Sequence, residues 1–288
     1  MPPVSLPKQK TITVCFFGIT RSLKYTLPSI EKNIIRPARQ HGNVVILAHF
    51  FNQPSIDNPR SGERGHLDTD EHKVLQADQC VVEEPDSCLE FWKYSELKSY
   101  GDSWHDGFRS MRNLVHQLHS LNEVTKMALS GRSDVCLFCR PDLEYHDDLS
   151  ALISQALAKP GPEIVLPNWQ AHGGLNDRFA ICAGREAAKS YGMRVQLMHQ
   201  YCRETGLPIH SEKLLKYAAV AGRIPTRTVF HRASRVRFDG TIKQEDFYHP
   251  YMAALRDIVK PYFPQGAAGG LAQRLKNAIA RMAGRKPM

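Results

Sequence analysis

Two acids one residue apart, Asp142 and Glu144, follow the apolar run Val135 to Cys139 (VCLFC). Carboxylates in this arrangement at a strand end can share a hard divalent ion, which in turn neutralises a pyrophosphate. Arg140 and Pro141 stiffen the turn and add a phosphate-capable cation. An ordinary acidic strand-end turn has the same spacing, so both readings stand. A literal acid-x-acid triplet, Asp68-Thr69-Asp70, lies with His66 and His72 in a polar stretch that follows no apolar run, and it reads as solvated surface. Cys136-x-x-Cys139 falls inside a strand, where positions three apart point to opposite faces, so core packing rather than zinc is expected. His116 and His119 are one helical turn apart with no acid or third ligand placed beside them, and a solvated or capping role is expected.

Two further clusters are polar where the chain enters or leaves an apolar strand. Gly18-Ile19-Thr20-Arg21-Ser22 offers a glycine, two hydroxyls and a guanidinium that can hold a phosphate. It lacks the glycine spacing of a dinucleotide fingerprint and the lysine of a P-loop. Asn176-Asp177-Arg178 stands between Gly173-Gly174 and the apolar Phe179 to Ile181. Gly174 lets the backbone approach a ligand closely, the three side chains can grip sugar hydroxyls, and Asp177 can act as a general base. An Asx-type turn with an internal Asp–Arg pair is the competing reading.

The elements that must position these residues follow from periodicity. Thr11 to Phe17 and Asn43 to Phe51 read as buried strands, with Leu23, Leu27, Ile30, Ile34 and Ile35 at helical spacing between them. Strand, helix, strand within about forty residues is a crossover unit and implies a parallel sheet. Residues 52–72 read as a long loop, 79–84 as a short strand, and Trp104 to Leu129 as the clearest helix. Helices are expected over 148–158, 187–204 and 212–221, short strands at 163–166 and 179–181, and a late basic strand over 223–237.

The 288 residues are 42% hydrophobic and 23% charged, enough for a full core and against a disordered chain. No apolar run approaches the roughly 18 residues of a membrane-spanning helix. The seven scattered cysteines are not a disulfide framework, and a reduced, cytosolic protein is expected. The net charge of +9 sits mostly at the ends, on Lys8, Lys10, Arg274, Lys276, Arg281, Arg285 and Lys286, so the body is not a nucleic-acid platform. Leu271, Leu275, Ala278, Ile279 and Met282 line one side of a C-terminal helix after the Gly266–Gly270 hinge, with the basic residues on or near the other. Such a helix suits an anionic membrane surface.

The ordered set FFGITRSLKYTLPSI (16–30), RSMRNLVHQLHSL (109–121), SDVCLFCRPDLEY (133–145), GGLNDRFAICAG (173–184), SEKLL (211–215) and RVRFDG (235–240) resembles a GT-A-type glycosyltransferase-like family of bacterial and viral polysaccharide synthesis. The resemblance implies an α/β fold with a Rossmann-like, mostly parallel sheet in a domain over residues 11–265, between a flexible tail expected at 1–10 and the hinge and basic helix at 266–288. It implies a nucleotide-sugar donor over Gly18, Thr20 and Arg21, with Arg112, Asn113, Arg140, Asn176, Arg178, Arg235 and Arg237 as further donor contacts. Asp142 and Glu144 would hold Mn²⁺ or Mg²⁺ where the family carries Asp-x-Asp. Asp177 or Glu212 would be the base if the reaction inverts. The expected acceptor is a glycan or lipid-linked saccharide at the cytoplasmic face of the plasma membrane. A metal-independent sulfotransferase-like enzyme and a non-catalytic glycan-binding protein are the alternatives.

Overall fold

The computed structural model describes residues 9–58 and 60–247. The expected tail helix and hinge, and residues 248–265 of the expected domain, lie outside the described residues. β-Branched and aromatic residues fill β1 (Thr11–Gly18), buried at six of its eight positions, as a strand covered on both faces requires. α1 (Leu23–Ile30) continues through a π-helical turn at Glu31–Ile35 into α2 (Arg36–His41). β2 (Asn43–Phe51) then returns parallel to β1, with His49 opposite Phe17 and Phe50 opposite Gly18.

The stretch 52–72 is folded rather than a loop. β3 (Ser55–Asn58) and β4 (Glu63–His66) form an antiparallel hairpin, and a 3₁₀ turn follows at Glu71–Leu75. Apolar periodicity misses this hairpin because its buried anchor, besides Ile56, is the carboxylate of Glu63, paired with Arg21 and Arg237. β5 (Gln79–Glu83), α3 (Ser87–Phe91) and α4 (Tyr94–Leu97) lead to α5 (Arg109–Ser130). α5 starts five residues after the expected Trp104. The Asp102 carboxylate accepts the N–H groups of Trp104, Asp106 and Phe108, which folds 102–108 into tight turns instead.

The rest of the chain alternates β6 (Val135–Cys139), β7 (Leu143–Tyr145), α6 (Ser150–Ala158), β8 (Glu163–Pro167), β9 (Phe179–Ala183), α7 (Arg185–Gly192), α8 (Met198–Thr205), α9 (Ser211–Ala221), β10 (Thr226–Val229) and β11 (Ala233–Arg235). The helix expected over 187–204 is broken by a 3₁₀ turn at Arg194–Leu197, where Arg194 turns inward and donates to the Tyr191 carbonyl. The late basic stretch is two strands: β10 pairs with β8, and β11 pairs antiparallel with β7.

Seven strands form one sheet in the order β10-β8-β9-β6-β1-β2-β5. All neighbours are parallel except β9, which is antiparallel to β6 and β8. The fold is therefore α/β with a mostly parallel central sheet, as expected. α1, α2 and α6 cover one face and α5, α7 and α9 the other. Leu137 and Cys139 face the first layer and Cys136 and Phe138 the second, so the Cys-x-x-Cys pair is split between two cores. No helix among the described residues is long and apolar enough to cross a membrane. Because β9 runs backwards, the residues that precede it share a sheet edge with the loops that follow β1 and β6. That edge collects most of the polar residues singled out above.

Candidate functional site

Gly18 ends β1 at φ +109, a conformation that excludes most side chains, and its N–H donates to Ser120 Oγ at 2.8 Å. Thr20 is buried beside it. Arg21 turns toward the sheet edge, where its guanidinium meets Asp142 at 2.6 Å and Glu63 at 3.2 Å. Arg140, immediately after β6, grips the same Asp142 bidentately: Nε donates to Oδ1 at 2.9 Å and Nη2 to Oδ2 at 2.8 Å. Burial pushes the Asp142 carboxyl up, but Arg140 and Arg21 outweigh it and hold the group far below the usual carboxylate range.

In this geometry the expected cation ligand Asp142 is engaged by guanidinium groups. Both oxygens of Asp142 are occupied by guanidinium donors, and an ion there would face Arg21 and Arg140 at contact distance. Glu144 lies in β7 opposite Ser234 and is only partly buried. These residues do not fit a divalent cation. The literal triplet at 68–70 fits no better: Asp70 is exposed and pairs with Lys73 at 2.8 Å.

From the antiparallel side come Asn176, Asp177 and Arg178. Asn176 is buried and structural: it donates to the Trp169 carbonyl and accepts the Arg178 N–H at 2.8 Å, an Asx turn. Asp177 does not pair internally with Arg178. It is buried, accepts from Ser211, and lies 3.6 Å from Arg194, itself fully buried. Burial raises the Asp177 carboxyl, but Arg194 and Arg178, with Ser211 and Arg140, bring it below the ordinary value. A carboxylate so stabilised as an anion is a poor proton acceptor.

Arg178 is the opposite case. Its guanidinium meets only Gln170 Oε1, at 3.5 Å, and among the described residues no carboxylate lies within 4.0 Å of it. Burial, followed by the like charges of Arg140 and Arg235, lowers it to about 10. Arg235 is held by Glu245 at 2.6 Å and Arg237 by Glu63 at 2.7 Å. Lys243 is also lowered, by burial and then by Arg235. Asp177 and Glu212 act on Arg178 in the opposite direction, from longer range than the ion pairs that hold Arg235 and Arg237.

Glu212 opens α9, 3.0 Å from His210 Nδ1. The His210 ring stacks on Trp104 with centroids 5.5 Å apart. Gly174 packs against this helix start: a Cβ there would collide with the Glu212 carbonyl, so the close approach it permits is to α9, not to a ligand as expected. Arg112 and Asn113 are exposed on α5, and Arg112 is paired with Asp86. Neither has a described contact with the arginine-rich edge; Gln117 does instead, bonding both Arg140 and Asp177.

Residue types in the chain did not reveal Arg194, Lys243, Glu63 or Glu245, whose roles come from distant partners. They also did not reveal a buried His49–Glu83–His119 group, whose ligand atoms lie within 4.8 Å of one another. His119 is thus buried beside an acid and a second histidine rather than solvated. The one available signal was His49 itself, a polar residue inside the otherwise apolar strand NVVILAHFF.

No protein-family model matches the chain, and no curated protein is similar to it in sequence. Among solved structures, the apo form of mouse xyloside xylosyltransferase 1 is similar, with a TM-score of 0.41 and 10% identity over 76% of this chain and 85% of that one.

Proposed function

We propose that the chain is a glycosyltransferase that moves a sugar from a nucleotide-sugar donor to an acceptor hydroxyl, and that it neutralises the leaving diphosphate with guanidinium groups. The observation that carries this reading is Arg178, a buried cation crowded by Arg140 and Arg235 that, among the described residues, has no carboxylate within 4.0 Å. An anion seated there relieves the like-charge repulsion. Preorganised donors aimed at developing negative charge are the strongest kind of transition-state stabilisation available to such a site. The resemblance of residues 16–30, 109–121, 133–145, 173–184, 211–215 and 235–240 to a GT-A-type family, and the mostly parallel sheet, support the donor class.

In this reading Arg178, Arg140, Arg235, Arg237 and Lys243 bind the diphosphate, and Gly18 and Thr20 line the nucleotide side. Arg21 and Asp142 brace Arg140 instead of touching a metal. Glu212, beside His210, accepts the acceptor proton, and Asp177 positions Arg194 and the start of α9. The acceptor is a glycan or lipid-linked saccharide. The basic residues from Arg274 to Lys286 attach the protein to an anionic cytoplasmic membrane face, on the strength of their sequence pattern.

Release of nucleoside diphosphate from UDP-, GDP- and dTDP-sugars, and of CMP from CMP-sugars, tests the assignment. Glu212→Gln is expected to lower turnover roughly 10²–10⁴-fold at unchanged melting temperature. Full turnover by that variant would remove Glu212 as the base. A second reading, a metal-independent sulfotransferase-like enzyme, is favoured by the same arginine crowd. Stabilisation by adenosine 3′,5′-bisphosphate in place of any nucleoside diphosphate would select it.

A further inference from the structure

His49, in β2, has one ring nitrogen committed. The Ser120 hydroxyl donates to the His49 carbonyl at 2.6 Å, so its oxygen is left to accept, and it receives the Gly18 N–H at 2.8 Å. His49 Nδ1, 3.1 Å from the same oxygen, must therefore carry a proton. In the neutral ring Nε2 then bears a lone pair, and it points at Glu83 Oε2 from 3.1 Å.

His119 is the third member of the group. His119 Nε2 is 2.9 Å from the same Glu83 oxygen. Ligands about 2.0–2.1 Å from a tetrahedral ion stand roughly 3.3 Å apart, close to the two spacings from Glu83 to the imidazoles, and all three ligand atoms lie within 4.8 Å of one another. The open side of the group faces a cleft of about 490 Å³ lined by Val81, Val82, Cys88 and Phe91. Glu83 is one-third exposed, which provides an entry path. Ser120 supplies the outer hydrogen bond that orients a ligating imidazole.

We infer that His49 Nε2, Glu83 and His119 Nε2 form a binding site for a divalent transition ion of the zinc class, with a fourth position open to the cleft. Two imidazoles and one carboxylate select such an ion over Mg²⁺ or Ca²⁺. This site is separate from Asp142 and independent of the transferase reading. It carries an internal reporter: Trp92 Nε1 donates to His119 Nδ1 at 2.9 Å. An ion on Nε2 requires the proton on Nδ1, where it would oppose the indole N–H, so loading breaks the Trp92 hydrogen bond.

The test is Zn²⁺ titration of the full chain by calorimetry and tryptophan emission. One tight equivalent is expected in the wild type, with an emission change that Trp92→Phe abolishes. His49→Gln and His119→Gln should weaken that equivalent by roughly 10–100-fold or more, since even outer partners of a metal site have effects of this size. Trp92→Phe should bind Zn²⁺ more tightly, because the competing indole donor is gone. Equal stoichiometry and affinity in the wild type and both histidine variants, or no tight equivalent in the wild type, would overturn the site. If either histidine variant melts too low to titrate, Trp92→Phe decides: tighter binding supports the site and unchanged affinity refutes it.

Discussion

A buried guanidinium is tolerated only with partners, and the two arginines nearest Asp177 solve this differently. Arg194 is fully buried against the Tyr191 ring, 4.6 Å from its centroid, with Asp177 as its counter-charge. Removing that counter-charge strands a buried cation, so Asp177→Asn is expected to cost about 3–5 kcal/mol of stability, measured by denaturant unfolding. An unchanged midpoint with lost turnover would instead make Asp177 the base. Arg178 has no carboxylate within 4.0 Å among the described residues and feels Asp177 and Glu212 only at longer range, which is why it is the arginine proposed to meet a ligand. Glu245, clasped by Arg235, responds to burial in one direction and to Arg235 and Gln170 in the other, and the net result lies at about 2 against an ordinary 4.5. The unfolded chain therefore takes up this proton first as pH falls. Stability from the pair is complete above about pH 4.5 and drains away toward pH 2. Glu245→Gln should flatten that part of the pH–stability curve and cost about 1.5–3 kcal/mol at neutral pH. A curve superimposable on that of the wild type would show that the pair contributes nothing.

Elements rather than single residues bring the site together, and the antiparallel β9 is the decisive one. It carries Asn176–Arg178 to the edge already occupied by Arg21 and Arg140, a convergence that parallel pairing would have sent to the far end of the sheet. Gly174 then fixes α9 against this edge. Gly174→Ala forces a Cβ into the Glu212 carbonyl and is expected to destabilise by about 1–3 kcal/mol while displacing Glu212. A thermal scan that finds no loss would mean that α9 shifts freely. β1, β2, β6, β8 and β9 and most of α5 were legible because apolar periodicity marks them, as in Thr11 to Phe17 and Val135 to Cys139. The direction of β9 was not, since nothing in Phe179 to Ile181 records which neighbour it joins. The β3–β4 hairpin was missed for a related reason: its buried anchor is Glu63, an acid that looks solvated until Arg21 and Arg237 are placed beside it. The pairing of Asp142 was not legible either, because a carboxylate beside one arginine in sequence gave no hint of the second, Arg21, in space.

At the scale of the molecule, charge is divided between a chemical edge and the chain ends. The arginine-rich edge is the proposed anion site, while Arg274, Lys276, Arg281, Arg285 and Lys286 bring further positive charge to the C-terminal stretch of the sequence. Deleting residues 266–288 is expected to leave the melting temperature within a few degrees and to abolish pelleting with anionic vesicles; equal pelleting would remove the membrane assignment. The central claim is that a nucleoside diphosphate is held by guanidinium groups without a cation at Asp142. Its most direct test is a melting-temperature panel of UDP, GDP, dTDP and CMP in EDTA and in Mn²⁺, on the wild type and Arg178→Ala. A ligand at a hundred times its dissociation constant stabilises by about 2.7 kcal/mol, a readily measured shift. The account predicts a shift for one nucleotide that is equal in EDTA and Mn²⁺ and absent from Arg178→Ala. A shift that appears only with Mn²⁺, or one that survives loss of Arg178, would contradict it.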